Sequence, residues 1–266
     1  MTAPVAVPQL LLEGQVAAPE GPVDLAPMYV MHRAFRRDLD AFVAVVPSIP
    51  VDEDRRWARV ARRFALFANV VHKHHHGEDV AVWPLLVERG ADPSVVAALA
   101  AEHAAVAEIV SSIERDLQSL AGGSADPSAK ERLTRSTEEL RDVLGAHLAH
   151  EERDGMVLVQ EHLTQQDWTR LDEEVFAKDY GPREVPAVLG WVVSGLPAEA
   201  ARRIPGADSA AFRAFARAAS WWFDRREPRI FGAPAPSRSD RVLTKVTKTV
   251  GAAHARVLKA TGGRSR

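Results

Sequence analysis

The chain has 266 residues, 46% hydrophobic and 26% charged, with ten histidines, no cysteine and a formal charge of −2. That length suits one large domain, or one domain with an appendage, and the composition is that of a globular rather than a disordered protein. The lack of cysteine excludes disulfide scaffolds, thiolate zinc or iron–sulfur ligation and a cysteine nucleophile, and a reducing cytoplasm is the expected location.

The first residues, MTAPVAVPQLLLEGQ, lack the basic segment of a secretory signal. No apolar run approaches the roughly 20 residues of a spanning helix, the longest being Pro186 to Leu196, so no transmembrane segment is expected. The charge is unevenly spread: residues 233–266 carry +7 and the rest −9. The acidic body is therefore a poor nucleic-acid binder, while the basic tail suits an acidic partner or an anionic membrane surface.

Taken in order, residues 1–24 are rich in proline and glycine and read as an extended N-terminal arm. Residues 25–163 read as a four-helix bundle. In the first helix Leu25, Met28, His32, Phe35, Leu39, Phe42 and Val46 recur at alternating gaps of three and four, the stripe of a helix facing one core. The second helix spans about Asp54 to Arg89, with the stripe Phe64, Phe67, Val71, His74, Glu78, Ala81, Leu85 and a kink expected at Pro84.

Asp92-Pro93 and Asp126-Pro127 each give a capping side chain followed by a proline in the first helical turn. The third stripe is Val96, Leu99, His103, Val106, Val110, Ile113, Leu117, Leu120. The fourth is Leu133, Leu140, Leu144, His147, Glu151, Leu158, with a break expected at Asp154/Gly155. No strand alternation occurs, so the fold class is all-α, an up-down-up-down bundle.

Residues 164–232 read as a helical extension on the bundle. It opens with a capping box at Thr164-Gln165-Gln166-Asp167 and continues in short helices near 184–194, 197–203 and 208–226. Residues 233–266 are a Pro/Ser-rich linker and a basic tail with a short apolar stripe (Leu243, Val246, Val250, Ala253, Val257).

Each bundle stripe carries one histidine: His32, His74, His103 and His147. Four imidazoles buried without partners would be costly. Two are followed four residues later by a glutamate, His74/Glu78 and His147/Glu151, and positions i and i+4 are neighbours on a helix. Four His and two Glu in one bundle core make a nitrogen/oxygen metal site. Iron or manganese suits the set, zinc also fits, and the carboxylates can bridge two ions. Six protein ligands for two ions leave positions for an oxygen species.

Around this set, His72, His75, His76 and Asp79 form a separate face of the second helix, read either as support for the ligands or as a solvated polar face. His75/Asp79 is an alternative pair to His74/Glu78, disfavoured by the flanking stripe. Glu152 is an alternative to Glu151. Tyr29 and Arg36 lie one turn either side of His32. Tyr29 is positioned to donate a hydrogen bond in the pocket or simply to pack, and Arg36 to pair with a bundle carboxylate or face solvent. His150 and Asp154 read as exposed, and His162 and His254 carry no argument.

The runs Met31-His32-Arg33-Ala34-Phe35-Arg36, His74-His75-His76-Gly77-Glu78-Asp79 leading to Trp83-Pro84-Leu85, Glu102-His103, and His147-Leu148-Ala149-His150-Glu151-Glu152 resemble the hemerythrin-like HHE cation-binding family over residues 25–162. The resemblance implies a non-haem di-iron centre. It also implies a role in oxygen binding, in oxygen or iron sensing, or in handling nitric oxide or peroxide. Two departures from oxygen-carrying hemerythrins stand out. Their third helix has two histidines four apart, where this chain has His103 and Ala107. Their fourth helix has a histidine and an aspartate five apart, where this chain has Glu151 at four and Glu152 at five. One fewer imidazole implies a more open iron than a simple oxygen carrier holds.

Overall fold

The computed structural model describes residues 6–232; the basic tail predicted for 233–266 lies outside the described residues. The chain through Phe231 is one compact unit, and among the described residues every regular element is helical.

Four long helices form the bundle: α1 (Ala26–Val45), α2 (Asp54–Gly77), α4 (Pro93–Ala121) and α5 (Pro127–His150). A π-turn, Glu78–Val82, joins α2 to the short α3 (Trp83–Glu88), and a second, Glu151–Gly155, joins α5 to α6 (Met156–His162). α2 packs on α4, α4 on α5, and α5 returns against α1, which is the up-down-up-down arrangement of short-looped helices. The starts follow the local code: the Asp92 carboxylate accepts the Ser94 N–H and the Asp126 carboxylate that of Ser128, each beside a proline.

The bundle interior is graded along its length. Phe35, Phe42, Phe64 and Phe67 pack edge-on or tilted, with ring centroids 5.2 to 5.8 Å apart. Each such burial stabilises the fold by about 1.5–3 kcal/mol. Beyond them the same helix faces change from aromatic to His32 and His74, with the Phe35 ring 5.3 Å from that of His74.

Two sequence expectations fail where the π-turns fall. The predicted core positions Ala81, Leu85 and Leu158 are only partly buried, and Val82, Leu86 and Val159 are buried in their place. A π-turn adds one residue to a turn, so every position beyond it moves one place in register. The expected break at Asp154/Gly155 is likewise a continuous helix through a π-turn, and the irregularity assigned to Pro84 begins earlier, at Glu78. A third expectation also changes. α4 is long and apolar enough by composition to cross a membrane, because its many alanines dilute Glu102 and Glu108. Here it is a bundle helix with its stripe of Val96, Leu99, His103 and Val106 turned inward.

The extension contains α7 (Gln165–Leu171), a third π-turn (Asp172–Phe176), α8 (Val185–Val193), α9 (Ala198–Ala201), α10 (Ala210–Asp224) and α11 (Pro228–Phe231). The Thr164/Asp167 capping box is formed in both directions. α8 and α10 meet at Gly190, where a Cβ would lie 2.6 Å from the Ala219 carbonyl oxygen. Trp191, fully buried, packs 5.3 Å from Phe35 and donates its Nε1–H to Asp38 at 2.7 Å. Arg63 completes that network, paired with Asp38 at 2.7 Å and Glu227 at 3.0 Å. These paired charges, in which only Arg63 Nη1 is left without a partner, join the extension to α1 and α2.

The N-terminal arm is extended and docked. Leu10, Leu12 and Val23 are buried, and Gln160 of α6 both accepts the Val23 N–H and donates to the Val23 carbonyl, each at 2.9 Å.

Candidate metal centre

His32, His74, Glu78, His103, His147 and Glu151 are all buried and converge between the four long helices. A seventh residue joins them. His75 is 6% exposed and stacks on His103 with ring centroids 4.0 Å apart and planes 5° from parallel. His147 stands edge-on to both rings. The face that joined His72, His75, His76 and Asp79 is thus divided: His72, His76 and Asp79 are exposed, and His75 is in the core. Successive residues on a helix are about 100° apart. α2 is flanked by α1 and α4, so His74 turns towards His32 of α1 and His75 towards His103 of α4. A single stripe cannot represent a helix that serves two neighbours.

The donor atoms fall into two groups, each with one atom per residue and all atoms within 4.8 Å of one another: His32, His74 and Glu151, and His75, Glu78, His103 and His147. The carboxylates reach across. Glu78 lies 3.1 Å from His74 Nε2 and 3.4 Å from His103 Nε2; Glu151 lies 3.3 Å from His32 Nε2 and 3.7 Å from His147 Nε2. All five Nε2 atoms and all four carboxylate oxygens are buried with no hydrogen-bond partner. Buried polar atoms normally find partners, and an orphaned atom costs about 1–3 kcal/mol. Nine so close together, all of metal-ligating type, fit a buried cation site.

The outer nitrogens are held. His32 Nδ1 pairs with Glu152 at 2.9 Å, His103 Nδ1 with Asp79 at 2.8 Å and His147 Nδ1 with Glu102 at 2.9 Å. This backing leaves Nε2 free to ligate. Glu152 thus backs His32 from outside the cluster, while Glu151 faces the Nε2 atoms of His32 and His147. Glu152 also accepts from Arg36 at 2.7 Å and from the Val16 N–H of the arm at 2.8 Å. His150, half-buried rather than exposed, shares Glu102 with His147 at 2.9 Å.

Electrostatics divides the two carboxylates. Burial, and then the charge of Glu151, push Glu78 well above the usual carboxylate range. Glu151 is held well below it; burial opposes this, but His32 and His147 overcome burial. Burial lowers His74 to about 3 and takes His75 down as well. Both imidazoles are thus neutral, the form that ligates a metal.

Phe176, from the extension, closes over this end of α2 with its ring 6.2 Å from that of His74. It fits because residue 77 is glycine: a Cβ there would sit 2.5 Å from Phe176 Cε1. For Gly77→Ala we expect a helix-propensity gain of about 1 kcal/mol. Overpacking of about 1–3 kcal/mol outweighs it. The thermal midpoint should fall, and a rise would show that Phe176 moves aside freely.

Imidazoles and carboxylates carried inward by four antiparallel helices define a helical-bundle cation-binding protein. Residues 24–156, half of the chain, match the family model described as Hemerythrin HHE cation binding domain, and the chain belongs to that family. No curated protein and no solved structure matches it.

Proposed function

We propose that this chain is a non-haem di-iron protein that binds dioxygen or a related small oxidant in the bundle core, for sensing or protection. The observation that carries the reading is the set of nine orphaned donor atoms in two groups, linked by two carboxylates. His32, His74 and Glu151 would hold one ion and His75, His103, His147 and Glu78 the other, with Glu78 and Glu151 bridging. Two irons so held would supply oxygen coordination and electron transfer. His75 from α2 supplies the fifth imidazole that Ala107 does not.

The chain's own groups govern access and protons. A groove of about 560 Å³ between α2 and α4, lined by His72, His75, His76, Asp79, His103 and several alanines, leads from solvent to the second group. Tyr29 is buried with its hydroxyl unpartnered. Burial, then the charges of Glu152 and Glu151, push its pKa up, so it keeps its proton. The unpartnered, protonated hydroxyl favours a second reading, turnover of peroxide or nitric oxide with Tyr29 donating a hydrogen bond to the small ligand.

Loading with Fe(II) under anaerobic conditions, followed by metal analysis and exposure to oxygen, tests both readings. We expect about two irons per chain and a visible band that oxygen produces and its removal reverses. Steady consumption of peroxide or nitric oxide with intact iron would support the second reading. A folded chain that takes up no iron would overturn both.

A further inference from the structure

On the face of α2 away from that groove lies a second pocket, of about 180 Å³, built by the extension against α1. Its walls are Val30 and Met31 of α1, Trp168 and Leu171 of α7, Phe176 and Val192. His74 lies at its edge and is the one residue it shares with the donor cluster. Asp172 and Tyr180 are its other titratable groups; burial pushes both towards their neutral forms, reinforced by Glu173 for Asp172 and by Asp179 and Glu184 for Tyr180.

We infer that this pocket binds a small, predominantly hydrophobic organic molecule beside the metal centre.

Three observations carry it. The first is polarity: every lining side chain except His74, Asp172 and Tyr180 is apolar, so water finds few of the two to four polar partners it needs there. The second is size: a volume of 180 Å³ far exceeds what a diatomic ligand occupies and suits an aromatic ring or short aliphatic chain. The third is preorganisation by polar contacts outside the pocket. Glu184 accepts from Lys73 at 2.8 Å, Asn69 at 3.0 Å and the Gly181 N–H at 2.8 Å. Lys73 also donates to the Asp179 carbonyl at 2.7 Å and lies 4.7 Å from the centre of the Tyr180 ring. The Tyr180 side of the pocket is therefore held in place before any ligand arrives, which limits the ordering cost of binding.

The centre is then served by two routes of opposite character. Water, protons and small polar oxidants reach His75 and His103 through the groove, and a hydrophobic molecule reaches His74 through the pocket. The pocket stands on its own packing and depends on the iron reading only for what its occupant would meet.

The test titrates toluene, with acetamide as a polar control, into the full chain in metal-free and iron-loaded forms, followed by tryptophan fluorescence and thermal midpoint. Crystals pressurised with xenon locate the site by anomalous scattering. Ala177→Trp and Ile204→Phe narrow the pocket, the first at an exposed rim position. We expect toluene to raise the midpoint, acetamide to leave it unchanged, xenon to lie among Val30, Leu171 and Val192, and each variant to weaken toluene at least tenfold. Equal response to acetamide, unweakened toluene in a folded variant, or no toluene shift and no xenon peak in the native chain would overturn the proposal. If neither variant folds, the native xenon peak and the acetamide control decide. Toluene binding without iron uptake would support the pocket and defeat the iron reading; iron uptake without toluene binding would do the reverse.

Discussion

Replacing Glu78 and Glu151 together by Gln should strip the centre of metal and leave the metal-free chain folded, the relief at Glu78 offsetting the loss of the Glu151 charge that His32 and His147 hold. Both carboxylates are fully buried, and none of their four oxygens has a hydrogen-bond partner. Burial is the largest force pushing the Glu78 carboxyl upward, and the nearby Glu151 charge adds to it. At Glu78 the cost of holding a buried carboxylate is not recovered in the metal-free fold, whereas at Glu151 the neighbouring His32 and His147 offset it. The amide keeps the shape and removes the charge. If the two bridge the ions as proposed, it also removes the bridging anions, so affinity should fall by more than the roughly 10–100-fold that follows loss of a mere supporting residue. Metal analysis and melting of the metal-free proteins decide it. A double variant that retains metal would end the assignment. One that unfolds where the native metal-free chain stays folded would make the pair structural.

The second large effect is expected at His75. If it is a donor, His75→Ala removes one of three imidazoles from the group of His75, His103, His147 and Glu78. Bound iron should then drop from about two ions per chain to about one, because the His32, His74 and Glu151 group is untouched. His72→Ala is the matched control, three residues away but exposed, and should keep both ions. Equal iron in the two variants would return His75 to a supporting role. Loss of both ions in His75→Ala would mean that the bridging carboxylates need both groups filled.

Much of this site was legible in the chain. His32, His74, Glu78, His103, His147 and Glu151 were each marked by a helical stripe, and all six lie in one buried cluster. The stripes of α1 and α4 are buried at every predicted position. The reason is local: 3.6-residue periodicity, capping aspartates and i, i+4 neighbours are properties of one helix at a time. Where the signal was local but ambiguous, as between Glu151 and Glu152, it ranked first the residue whose carboxylate faces the buried Nε2 atoms. It was silent on Glu152 as the partner of His32, 120 positions away.

What the sequence determined by itself was the class of fold, the family resemblance and the donor types, because these rest on short-range spacing. Only the tertiary structure decided the rest. It turned α2 so that adjacent histidines face different neighbours, it brought Glu152, Arg36 and the Val16 N–H together behind His32, and it set α7 and α8 against α1 to wall a pocket. It also placed π-turns at Glu78 and Glu151, which shift the buried face by one residue beyond each donor. Each of these depends on the rotation and register of one helix against another, and those are set by packing across the core.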